Sequence, residues 1–172
     1  MKFLVTGANG FVGQAFSAAA LLRGVSITGS TRAPAVLLPT VKNIVVGEVD
    51  EKTDWTLALA GCDVVVHLAA RVHVMQENNS NPLEAFRAIN LYGTANLARQ
   101  AALAGVKRLV YVSSVKVNGE ETQDGQPYTE VSESLPKDAY GTSKWEAEQA
   151  LHEIANETGL EVVIIRPPLV YG

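Results

Sequence analysis

The sequence predicts an α/β fold: a doubly wound parallel sheet with helices on both faces. Three observations predict it: six short apolar runs rich in β-branched residues, amphipathic stretches between most of them, and a glycine-rich exit from the first run. The runs are Phe3 to Val5, Val25 to Ile27, Ile44 to Val46, Val64 to Leu68, Leu109 to Val112 and Val162 to Ile165. They are continuously apolar instead of alternating, which is the pattern of strands buried on both faces and so of a parallel sheet. Strands and helices in alternation then give right-handed βαβ units.

The first strand leaves through "TGANGFVG", with glycines at positions 7, 10 and 13. Between a strand and a helix, such glycines permit a tight turn, remove a Cβ that would block a phosphate, and let the helix pack on the strand. A pyrophosphate then meets backbone N–H groups at the helix N-terminus. The spacing is G-x-x-G-x-x-G, not the commoner G-x-G-x-x-G, and a plain structural turn is the alternative. The first helix, Phe11 to Arg23, repeats Val12, Ala15, Phe16, Ala19 and Leu22 at helical spacing. After the second strand, "ITGSTRAP" lacks the acid that usually receives the adenosine ribose about 20 residues past the glycines. Ser30, Thr31 and Arg32 stand there instead, groups suited to a 2′-phosphate. The cofactor is expected to be NADP or NAD, with the edge to NADP resting on Arg32; an exposed Arg32 without a role is the alternative.

The second long helix, Asn81 to Ala104, opens with Asn-Pro and continues through Phe86, Ile89, Leu97 and Ala101. The fifth strand runs into Ser113 and Ser114, just past its carboxyl end, where the ligand crevice of a doubly wound sheet lies; turn formation is the alternative. Asn118 to Lys137 reads as an irregular loop, long enough to be functional. A third helix, Asp138 to Glu157, carries Tyr140 and Lys144 one turn apart on one face. A neighbouring ammonium favours the phenolate and would make Tyr140 a proton acceptor near neutral pH. An ordinary helix surface can carry the same spacing.

At 172 residues, 47% hydrophobic and 19% charged, the chain suits one soluble domain, residues 1 to 172. A net charge of −4 argues against nucleic acid or acidic lipid as partners. The single Cys62 cannot form an internal disulfide, and His67, His73 and His152 are too scattered for a ligand cluster, so no metal is expected. Trp55 and Trp145 read as packing anchors. With no signal-like N-terminus and no apolar run near 18 residues, a cytoplasmic protein that does not span a membrane is expected.

Six motifs in order, "TGANGFVG", "VVVHLAA" (Val64 to Ala70), "INLYGTANL" (Ile89 to Leu97), "VYVSSVKVNG" (Val110 to Gly119), "YGTSK" (Tyr140 to Lys144) and "IRPPLVYG" (Ile165 to Gly172), span the chain. Together they resemble the extended short-chain dehydrogenase/reductases, specifically the NAD-dependent epimerase/dehydratase group acting on nucleotide sugars. The resemblance implies a Rossmann-like domain with Tyr140 as general acid/base, Lys144 lowering its pKa and holding the nicotinamide ribose, and Ser114 bonding the reacting oxygen. It implies cofactor contacts from Gly7, Asn9, Gly10, Phe11, Val12, Gly13, Arg32, Glu48, Val49, Leu68, Ala69, Ala70, Asn90, Tyr140, Lys144 and Pro167. Glu48 matches a family Asp that contacts the adenine amino group, and Asn90 a family asparagine near the active site. A buried amide tying helix to sheet is the alternative for Asn90.

Three departures qualify the resemblance. Dehydratases carry Asp-Glu directly after the catalytic Thr, where this chain has Val115-Lys116, so dehydration is not expected. Many members read "VYG" where this chain has "VNG", so Asn118 is expected to reshape the substrate wall. Hexose 4-epimerases carry a substrate-contacting Asn three residues after the last strand's Arg, whereas Arg166 is followed by Pro167, Pro168 and Leu169. UDP-sugar 4-epimerization and 4-keto-sugar reduction both fit, on a nucleotide-sugar substrate. Relatives of this type continue into a smaller substrate-binding domain, absent from this chain, and many pair as homodimers through the two long helices. The other reading is a non-catalytic dinucleotide-binding regulatory or redox-sensing module, for which an intact Ser114, Tyr140 and Lys144 has no use.

Overall fold

Six parallel strands form one sheet: β1 (Lys2–Thr6), β2 (Ser26–Thr31), β3 (Lys42–Val45), β4 (Val64–His67), β5 (Arg108–Val112) and β6 (Glu161–Ile165), in the order β3-β2-β1-β4-β5-β6. The computed structural model describes residues 1–72, 81–122 and 124–171, and His73 lies outside them. Strand order reverses between β1 and β4, where a crevice opens beyond the strand ends. Among the described residues no helix is long and apolar enough to cross a membrane.

Alternation along each strand divides the core. Leu4, Val65, Leu109 and Tyr111 face one side, packed with α2 (Thr56–Leu59), α4 (Thr94–Leu103) and α5 (Ala139–Thr158). Val5, Ile27 and Val66 face the other, packed with Phe16 and Ala20 of α1 (Phe11–Leu21). Each such side chain fully removed from water contributes roughly 1.5–3 kcal/mol.

Four features differ from the sequence reading. First, β2 extends through Thr28, Ser30 and Thr31, all buried, because Thr31 donates to Asn43 Oδ1 of β3 at 2.9 Å and its neighbours pair with β1 and β3. Polar side chains there hid the strand. Second, α2 went unforeseen, since a single turn leaves too little periodicity to read. Third, the second long helix is three pieces: α3 (Pro82–Arg87), a π-helical turn Ala88–Gly93, and α4. Fourth, β6 is not buried on both faces: Val163 and Ile165 are 40% and 47% exposed, because α1 covers only the β1, β2 and β4 part of its face.

Candidate active site

Where β1 ends, Gly7 takes φ +63, a conformation open to residues without a Cβ, and a Cβ there would press on Ala69 N at 3.1 Å. Gly13, one turn into α1, lies so close to β1 that a Cβ would meet the Gly7 carbonyl at 2.3 Å. These two glycines bring α1 against the sheet end. Asp138 caps α5 and Asn81 caps α3 through side-chain oxygens, but Gly10 gives α1 no side-chain cap, and Gly10, Phe11 and Val12 are exposed. Gly10 N–H donates to Gly7 O at 2.9 Å, while the Phe11 and Val12 N–H groups and the helix dipole present an end of the kind that suits an anion. Beside it opens a cleft of about 610 Å³ lined by Gly7, Asn9, Arg32, Glu48, Val49, Ala69 and Ala70, among others. These seven, expected from the sequence to contact a cofactor, are thus brought together around one space. Leu68 and Ala69 donate their amides to Thr6 Oγ1, each at 3.0 Å, which fixes the cleft floor.

Two of the expected residues are placed elsewhere. Asn90 is buried and three of its four hydrogen-bonding places are engaged: Oδ1 accepts from Arg71 N at 2.9 Å, while Nδ2 donates to Arg71 O and to Ser143 Oγ, each at 3.0 Å. It ties the β4 exit to α5 and does not line the cleft. The π-helical turn sets this inward aim. Pro167 contributes its carbonyl to Val115 N at 3.0 Å, bracing the turn after β5.

At the β5 exit, Ser114 caps a 3₁₀ turn, Val115–Val117, accepting from Lys116 N at 3.2 Å, and its side chain neighbours the Tyr140 hydroxyl. Burial pushes the Tyr140 hydroxyl above its ordinary pKa, with Asp138 adding to the rise, while the neighbouring Ser114 hydroxyl and the Lys116 ammonium oppose it. Lys144 corrects an expectation. Its Nζ donates to Val112 O at 2.8 Å and sits 4.1 Å from the centre of the Tyr111 ring, so the ammonium is used by the strand end and does not lower Tyr140 here. Burial pulls Lys144 down to about 7, with Glu148 opposing. Tyr140 also packs edge-on to Phe86 at 6.0 Å, and Arg71 from the cleft lies over Phe86 at 5.5 Å.

The model of the NAD dependent epimerase/dehydratase family matches residues 3–172. The chain belongs to that family. A Vibrio cholerae protein named UDP-glucose 4-epimerase is 44% identical over 171 residues, 99% of this chain and 52% of that protein. A solved short-chain dehydrogenase/reductase superfamily protein from Agrobacterium tumefaciens, with bound NAD, superimposes with a TM-score of 0.81 at 30% identity over 96% of this chain and 48% of that one. The Thermus thermophilus UDP-glucose 4-epimerase complex with NAD gives 0.83 at 25% identity over 96% and 54%. The chain spans about half the length of the curated relatives it matches.

Within this epimerase/dehydratase domain the residues fit a dinucleotide on two observations. A Cβ at Gly7 or Gly10 would crowd the turn where a pyrophosphate would lie, and the α1 N-terminus is exposed. Two buried networks beneath the site went unforeseen. Thr6 Oγ1 accepts from two amides, so its proton goes to His67 Nδ1 at 2.7 Å, leaving His67 Nε2 to donate to Thr94 at 2.9 Å. Burial, then the Lys144 charge, pulls His67 down to about 3, so it is neutral at all physiological pH. Glu148, wholly buried one turn past Lys144, accepts two bonds from Arg166, which also reaches Asn118 and Ser134. Asn118, expected to shape a substrate wall, donates to the Ser132 and Glu133 carbonyls and holds down the loop before α5. The 4-residue spacing of Tyr140, Lys144 and Glu148 was the available signal for the second network, but nothing in sequence named Arg166 as partner.

Proposed function

We propose that the chain is the cofactor-binding and catalytic half of a nucleotide-sugar oxidoreductase of this family, acting at a sugar carbon in the manner of a UDP-sugar 4-epimerase. The observation that carries this is the meeting of Ser114 with the Tyr140 hydroxyl at the β5 exit, beside the cleft and with Lys144 buried one helical turn along from Tyr140. A sensor module has no need of a half-buried tyrosine and serine set together this way. The V. cholerae relative supports the sugar class, and NAD in the two solved relatives supports the cofactor; the remaining half of the sugar site would come from sequence corresponding to the rest of those relatives.

Bound nicotinamide would accept and return hydride at the sugar carbon and, when oxidised, bring a positive charge to the site. Gly7, Gly10 and the α1 N-terminus would bind the pyrophosphate, and Ala69 and Ala70 would let the dinucleotide lie close to the β4 end. Ser114 would orient the reacting oxygen toward Tyr140. With its hydroxyl raised by burial, Tyr140 holds its proton at neutral pH and is ready to donate it to a ketone oxygen. Lys144 would shift from Val112 O toward the ribose when the cofactor arrives. A homodimer through the two long helices follows from the family expectation, and sedimentation would read twice 18.3 kDa.

The test is Tyr140→Phe in protein extended to the length of its relatives, assayed on a panel of UDP- and dTDP-sugars and their 4-keto forms. Turnover should drop by about 100-fold or more. Undiminished turnover would remove Tyr140 from the chemistry, and no activity of the parent on any sugar would remove the substrate class.

A further inference from the structure

Three polar groups at the β2 exit are available in sequence to meet an adenosine 2′-phosphate: Ser30, Thr31 and Arg32. The structure reduces them to one cation. Thr31 is buried and donates its hydroxyl to Asn43, which in turn donates to Ala35 O at 2.9 Å. Ser30 is buried as well, at the cleft wall. Arg32 alone stands out at the rim, with its side chain 75% exposed, and it donates through Nη1 to Glu48 Oε1 at 3.4 Å. Glu48 comes from the β3 exit, follows Gly47, and lines the same cleft. The carboxylate that family resemblance pairs with adenine therefore sits on the guanidinium that would receive a phosphate.

We propose that Glu48 sets the dinucleotide preference of this cleft by holding Arg32: a 2′-phosphate must displace the Glu48 carboxylate from the guanidinium to bind, whereas a free 2′-hydroxyl need not. The inference rests on the cleft being the dinucleotide site. Both partners are largely exposed and the contact is long, so the competition is mild: the pair biases the choice and does not forbid NADP. A carboxylate at the β3 exit thus takes over part of the discrimination that an acid at the β2 exit performs elsewhere.

The experiment is calorimetric titration of the chain with NAD⁺ and NADP⁺, for the parent, Glu48→Gln, Arg32→Ala and the double variant. Glu48→Gln should raise the ratio of NADP⁺ to NAD⁺ affinity by about two- to fivefold, the scale of an exposed ion pair, whereas loss of an adenine contact would lower both affinities together and leave the ratio unmoved. Arg32→Ala should weaken NADP⁺, and in that background Glu48→Gln should gain less than about twofold, because the cation it released is gone. An unchanged NADP⁺ to NAD⁺ ratio in Glu48→Gln overturns the inference and leaves the dinucleotide site standing. The same gain with and without Arg32 also overturns it, since Glu48 would then act on the phosphate directly. A parent that binds neither dinucleotide overturns both the inference and the reading beneath it.

Discussion

Replacing Arg166 by Met removes a guanidinium while keeping most of the side-chain stem, and leaves the buried Glu148 side chain without its partner. Glu148 is 0% exposed and takes both of its described hydrogen bonds from Arg166. Breaking a buried pair in this way costs about 3–5 kcal/mol. The Arg166 side chain is 23% exposed, so water reaches part of the site and the lower figure, about 3 kcal/mol, is expected. At an m-value of about 2 kcal/mol per molar urea, the midpoint should fall by about 1.5 M. Urea unfolding followed by far-UV dichroism reads this directly. The Glu148→Met, Arg166→Met double variant removes both charges and should recover most of the loss, because a buried pair contributes little against apolar packing of similar volume. Because α5 carries Tyr140, Lys144 and Glu148 on one face, the single variant should also weaken NAD binding more than the double does. A single-variant loss below about 1 kcal/mol, or a double variant equal to the sum of the singles, would refute the claim that Glu148 depends on Arg166.

Three further outcomes are expected. Gly13→Ala places a Cβ 2.3 Å from the Gly7 carbonyl, backbone that cannot swing away, so it should destabilise the chain by about 3 kcal/mol in urea unfolding and weaken NAD binding as α1 is pushed off the sheet. His67 is neutral when folded and takes a proton below 6.5 when unfolded, so its contribution is present above that value and is lost as pH falls toward about 3. Thermal unfolding of the parent should therefore lose roughly 4 kcal/mol more than His67→Asn across that window. Lys144→Met removes a buried ammonium from a site that disfavours charge, so at pH 7 stability should hold or rise while turnover of the extended protein is lost, a separation measurable by denaturation beside assay.

The strands were readable because parallel strands bury both faces and advertise themselves as apolar runs; β2 beyond Ile27 was not, since Thr28, Ser30 and Thr31 satisfy their hydroxyls or pack inside the sheet. The glycines and the Tyr140 to Lys144 spacing were readable because their geometry is local, set within two helical turns. Partnerships across long sequence separations were not. Nothing in "VNG" shows that Asn118 clamps the loop at Ser132 and Glu133, nor does Arg32 announce Glu48, 16 residues away beyond the end of another strand. Asn90 shows the limit of resemblance: the family position was identified, yet the π-helical turn directs its amide to Arg71 and Ser143.

The central claim is that a dinucleotide lies between the β1 and β4 exits with its pyrophosphate on the open end of α1. Backbone amide NMR of the 172-residue chain during titration with NAD⁺ tests it most directly. The largest shifts should fall on Gly7 to Gly13, with a second group at Arg32, Glu48, Val49, Ala69 and Ala70, saturating together at one equivalent. Saturable shifts centred elsewhere, with the Gly10, Phe11 and Val12 amides unmoved, would contradict it.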